Sequence, residues 1–112
     1  MKFLILTHPQ AFSNGPTILE AQVDMIVDLI AKAEKEGLKT FDSEKSAQDA
    51  WCALVEAMVQ NTLFPLTDSW WNAANIPGKK PQMLTYAAGI NNYEAQCRGK
   101  IDQWDGFVLG KA

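Results

Sequence analysis

Leu19, Val23, Ile26, Ile30 and Ala33 recur at spacings of three and four residues, while Glu20, Asp24, Asp28 and Lys32 share another face. That period matches the α-helical turn, so the spacing predicts one amphipathic helix. Asn14-Gly15-Pro16 ahead of it combines turn chemistry with a proline suited to a first helical turn. Gly37 ends it, because a residue without Cβ readily takes the left-handed conformation that caps a helix C-terminus. On the N-terminal side, the apolar run Lys2 to Thr7 reads as a buried strand that halts at Pro9, which has no amide to donate to a sheet. On the C-terminal side, Leu38 to Phe41 reads as a brief extended link.

A second helix is expected after Ser43, whose hydroxyl can cap unpaired backbone amides, with Glu44 bringing negative charge to the positive helix end. Ala47, Ala50, Trp51, Leu54, Val55 and Met58 mark its inner side, and it frays near Asn61, before Pro65. Both periodicities then vanish between Thr62 and Pro81, a stretch holding Pro65, Trp70, Trp71, Pro77 and Gly78. An irregular stretch of this length inside a compact domain is uncommon and often serves as a binding loop or lid. Gln82 to Ala87 reads as a further strand, and Asn91 to Gln103 as a moderate helix interrupted at Gly99. The fold class expected is α/β of the mixed α+β kind. Two amphipathic helices meet a few short strands, with the tryptophan loop crossing outside.

Composition narrows the function. With 112 residues the chain is of single-domain size. A net charge of -3 and scattered Lys and Arg leave no basic footprint for nucleic acid. The run Phe3-Leu4-Ile5-Leu6 is too short for a signal peptide, and no stretch reaches bilayer-spanning length, so a soluble, cytoplasmic protein is expected. Cys52 and Cys97 stand far apart, as packed thiols do.

Motif chemistry is sparse. His8, following a strand, is the one candidate general base, and no nucleophile elbow accompanies it. No metal-ligand spacing occurs, and no Gly-x-Gly-x-x-Gly forms a pyrophosphate cradle, so no metal and no complete nucleotide site is expected. What remains is Ser69 to Lys80. Its aromatic rings can stack on a ligand and its indole and amide groups can orient one, or both tryptophans can clamp the loop to the core. Lys79 and Lys80 are either a solvated pair or a phosphate contact.

The string Asp68-Ser69-Trp70-Trp71 followed by Ala74-Asn75-Ile76-Pro77-Gly78-Lys79 closely resembles a signature near the C-terminus of Baeyer–Villiger monooxygenases of the cyclohexanone and phenylacetone monooxygenase kind. The likeness continues through Tyr86, Gly89, Tyr93, Cys97 and Gly106-Phe107. Upstream it reaches Asn61 to Pro65, Asp49-Ala50-Trp51, and Pro9-Gln10 with Phe12-Ser13-Asn14. His8, Gly15, Ala73 and Ala88 depart from the family pattern.

The resemblance implies an FAD- and NADPH-dependent monooxygenase that inserts one oxygen atom beside a ketone carbonyl. Residues 1–112 would be one partial domain, the C-terminal part of the FAD-binding domain plus a cofactor-covering loop, 61–81. By the same resemblance, Trp70 reaches the nicotinamide cofactor, Pro9 and Gln10 lie near the flavin, and Phe12, Ser13, Gly15 and Thr85 line the substrate pocket. No catalytic residue is carried over. The isolated chain is expected to hold neither cofactor and to be inactive, with self-association covering surface left bare by missing domains. An alternative is a stand-alone, oligomeric interaction module derived from the same fold.

Overall fold

The computed structural model describes residues 14–111. Helix α1 spans Gly15–Lys35 and strand β1 spans Leu38–Ser43. Helix α2 spans Lys45–Val59 and leads into an irregular segment with short 3-10 turns at Phe64–Leu66 and Trp70–Asn72. Helix α3, Ile90–Gln103, and strand β2, Phe107–Lys111, complete the order. The class is mixed α+β, as expected, with a third full helix in place of the interrupted one: α3 runs unbroken through Gly99. The strand expected at Lys2 to Thr7 lies outside the described residues.

Asn14 starts α1: its Oδ1 accepts from the backbone N–H of Thr17 at 2.9 Å, which satisfies an amide with no helical partner. The buried stripe of α1 is Ile18, Gln22, Met25, Leu29 and Ala33. This corrects the expected face, because Leu19, Val23 and Ile30 are 60%, 55% and 46% exposed. The helix carries two apolar stripes, and a 3.6-residue period cannot say which one packs. The chosen stripe is the one whose polar member finds a buried partner: Gln22 Nε2 donates to the Tyr93 hydroxyl at 3.2 Å.

The link after Gly37 is a true strand. β1 pairs antiparallel with β2, with Thr40 opposite Gly110, Phe41 opposite Leu109 and Ser43 opposite Phe107, and a bulge between Leu38 and Thr40. Ser43 therefore belongs to the ladder and does not cap α2. Glu44 takes the N-cap position, without a side-chain cap, and its amide extends the ladder to Gly106 O at 2.8 Å. The strand expected at Gln82 to Ala87 is irregular chain, bent at Thr85, without a strand partner among the described residues. Its amides are satisfied elsewhere: Gln82 N donates to Asn72 O, Met83 N to the Glu56 carboxylate and Leu84 N to Trp71 O.

One core joins these elements, with Met25 and Leu29 from α1, Trp51, Val55 and Val59 from α2, and Met83 and Tyr86 from the segment 82–87. Tyr93, Cys97 and Ile101 from α3 and Phe107 from β2 complete it. Its centre is aromatic. Trp51 stacks on Tyr86 at 5.6 Å between ring centroids, and Tyr93 meets Tyr86 edge-on at 5.5 Å. Burial disfavours the phenolate of both tyrosines, moving their titration above the ordinary value, and pushes the Cys97 thiol up to about 12. At the far end, Lys32 Nζ donates to the Ile101 carbonyl at 2.8 Å and to that of Asp102, capping the C-terminus of α3. The same ammonium lies 4.8 Å from the Trp104 ring centroid, whose Nε1 donates to Glu36.

Candidate functional site: the tryptophan loop

The segment from Asn61 to Pro81 lacks regular structure because its prolines and small polar residues deny it a repeating backbone ladder, yet side chains give it a fixed shape. Thr62 Oγ1 donates to Val59 O at 2.6 Å as α2 ends, and Thr67 Oγ1 donates to Phe64 O at 2.8 Å across the first 3-10 turn. Pro77-Gly78 closes a turn in which Lys79 N donates to Ile76 O at 3.2 Å and Gly78 has φ +75°, a conformation strained for any residue with a Cβ.

The two tryptophans have opposite environments. Trp71 is half-buried; its Nε1 donates to Thr67 Oγ1 at 3.1 Å, its ring meets Phe64 edge-on at 5.9 Å, and its carbonyl accepts from Leu84 N. Trp70 is 58% exposed, touches Trp71 edge-on at 5.8 Å, and its indole N–H has no hydrogen-bond partner among the described residues. One ring thus clamps the loop to its surroundings, and the other stays largely exposed. Leu63, Leu66 and Ile76 are exposed on the same loop.

The amides of this segment were expected to be free to orient a ligand, but that of Asn72 is used on the loop itself. Asn72 is only 6% exposed, and its side chain accepts from Ser69 N at 3.2 Å and Ala74 N at 3.1 Å and donates to Phe64 O at 3.3 Å and Thr67 O at 2.6 Å. A sequence signal existed: Ser69 followed three residues later by Asn72 is the spacing of a reciprocal cap.

Of the other expected site residues, Thr85 is 2% exposed, at a bend beside Tyr86, and Gly15 is exposed at the first position of α1. Pro9, Gln10, Phe12 and Ser13, with His8, lie outside the described residues. Lys79 and Lys80 are exposed, and Lys80 borders a cleft of about 430 Å³ between the loop and α2, also lined by Cys52 and Glu56. Among the described residues no three His, Cys, Asp or Glu side chains gather as a metal site would need, and no helix is long and apolar enough to cross a membrane.

No protein-family model matches the chain. It is 42% identical over 91 residues to a Baeyer-Villiger monooxygenase of Pseudooceanicola batsensis, an alignment covering 81% of this chain and 17% of that enzyme. It is 36% identical over 108 residues to the phenazine N-monooxygenase of Lysobacter antibioticus, and 33% identical over 108 residues to the cyclohexanone 1,2-monooxygenase of an Acinetobacter species; each alignment covers 96% of this chain and 20% of the relative. In three dimensions it superposes on an NADP+-bound cyclohexanone monooxygenase from a Rhodococcus species with a TM-score of 0.84 and 36% identity, over 95% of this chain and 20% of that one. The chain thus spans about one fifth of the length of the relatives it matches. By sequence and by fold, it is a segment of the Baeyer–Villiger-type monooxygenase family.

Proposed function

We propose that this chain contributes the coenzyme-covering loop of an FAD- and NADPH-dependent monooxygenase acting on ketones, with Trp70 as the residue that meets the nicotinamide coenzyme. The observation that carries this reading is the contrast within the tryptophan pair: one indole donates its N–H inside the loop, while the other is 58% exposed and its N–H has no hydrogen-bond partner among the described residues. An exposed indole with an unspent donor suits a ribose, whose hydroxyls accept hydrogen bonds and whose ring packs on an aromatic face. Trp70 would bind and orient the coenzyme, which supplies the reducing equivalents for oxygen activation at the flavin. Pro9 and Gln10 near the flavin, and Phe12, Ser13, Gly15 and Thr85 at the ketone, belong to the same proposal.

The loop alone cannot enclose a dinucleotide, so the 112-residue chain should carry no flavin after purification and consume no NADPH. A yellow protein that oxidises NADPH at stoichiometric flavin would overturn this reading. In a polypeptide containing the rest of the enzyme, Trp70→Ala should raise KM for NADPH about tenfold, the loss of one good stacking and hydrogen-bonding contact.

A second reading is a self-associating interaction module. The bare stripe of α1, Leu19, Val23, Val27 and Ile30, favours it, since a contiguous apolar strip on a small protein usually meets a partner.

A further inference from the structure

Asn72 stands at the centre of the loop's polar connections. A side-chain amide offers two donor hydrogens and an oxygen with two lone pairs, and here all four are used on the backbone. The four partners lie at residues 64, 67, 69 and 74, so one side chain ties the first 3-10 turn to both flanks of the second. Its own carbonyl accepts Gln82 N at 2.8 Å, which fastens the returning chain as well. No apolar side chain could replace these bonds, and four backbone groups would be left to find water.

Trp70 and Asn72 share the turn Trp70–Asn72, where three residues complete one revolution and consecutive side chains diverge by about 120°. Pinning Asn72 inward therefore fixes where the other two point. Trp71 turns onto Phe64 and Thr67, and Trp70 is left facing solvent.

We propose that Asn72 is the positioning residue of the tryptophan loop, holding it in shape without a ligand so that Trp70 is presented outward. The ordering entropy of the loop is then met on folding and is not charged against coenzyme binding, which is how preorganisation raises affinity. Asn72 acts through Trp70 and touches no reacting atom. The coenzyme arm of this inference rests on the reading of Trp70 above; the loop-holding arm does not.

The test uses the 112-residue chain, its Asn72→Leu and Asn72→Asp variants, and each in a Trp70→Phe background. Trypsin cleavage after Lys79 reports opening of the loop, and the difference in acrylamide quenching between each chain and its Trp70→Phe counterpart isolates the emission of Trp70. Asn72→Leu should be cut about tenfold faster than the parent, and Asn72→Asp, which keeps both acceptor bonds and loses both donors, by an intermediate factor. The quenching of Trp70 should shift in step while the far-ultraviolet helical signal stays constant. Cleavage within twofold of the parent in both variants would overturn the proposal. If Asn72→Leu loses its helical signal, Asn72→Asp decides by the same criterion. In the complete enzyme, Asn72→Leu should raise KM for NADPH about fivefold with kcat within twofold. A loosened loop with an unmoved KM would sink the reading of Trp70 and not the loop-holding role of Asn72.

Discussion

Cys97 shows how a single residue reports on this core. Burial holds its thiol up at about 12, against an ordinary value of 9.0. The folded state therefore keeps a proton that the unfolded chain releases above pH 9. The stability this represents is complete below that value and is lost as pH rises toward 12, because the unfolded state binds fewer protons throughout the window. Tyr86 and Tyr93 are raised by the same burial and act in the same direction. Urea unfolding should therefore give a midpoint that falls between pH 8 and pH 11, and Cys97→Ala should flatten the fall without abolishing it. Equal slopes in parent and variant would mean that this thiol is hydrated in the folded protein. The same residue scale explains Trp104, a non-glycine residue with φ of 55° at the end of α3. The left-handed conformation costs a side chain about 1–2 kcal/mol. Ring contacts with Phe41 and Phe107, and the bond to Glu36, hold it there.

At the scale of elements, the ribbon of β1 and β2 depends on one small residue. A Cβ built on Gly110 would lie 2.1 Å from Thr40 Oγ1, directly across the ladder and next to the bulge. Gly110→Val should cost about 1–3 kcal/mol by crowding the Thr40 side chain out of its place, read as a lower thermal midpoint. Shortening the opposing side chain with Thr40→Gly should restore part of it. A substitution at Gly110 that left the midpoint unchanged would show that the ribbon adds little to stability. The loop is held differently: threonine hydroxyls, an indole N–H and the Asn72 amide substitute for a ladder, so its shape depends on side-chain identity more than on backbone pattern.

For the molecule as a whole, the second stripe of α1 matters most. Leu19, Val23, Val27 and Ile30 are exposed along one side of a helix whose other side is fully packed. A contiguous apolar stripe of this kind on a small protein is a surface able to pack against a second apolar surface. The double variant Val23→Lys and Val27→Lys should leave the thermal midpoint of the 112-residue chain nearly unchanged, since neither side chain supports the core. Self-association measured by light scattering should fall at the same time. A variant that unfolds would place these residues in the core and refute the assignment of the stripe as an outer face.

The sequence by itself determined the limits of α1, the presence of α2, the mixed class, the irregular character of residues 62–81 and the family, because caps, breakers and local motifs act over a few residues. Tertiary structure alone decided which stripe of α1 is buried, that Leu38–Ser43 finds its partner in Phe107–Lys111, and that Gln82 to Ala87 is irregular chain fastened to the loop and to Glu56. It also separated the two tryptophans and gave Asn72 its place. The physical reason is the same throughout: periodicity marks every surface able to pack and every strand able to pair, but the choice among them depends on partners distant in sequence. Gln22 needed the Tyr93 hydroxyl, Ser43 needed Phe107, and Trp71 needed Thr67 and Phe64 to leave Trp70 alone at the surface.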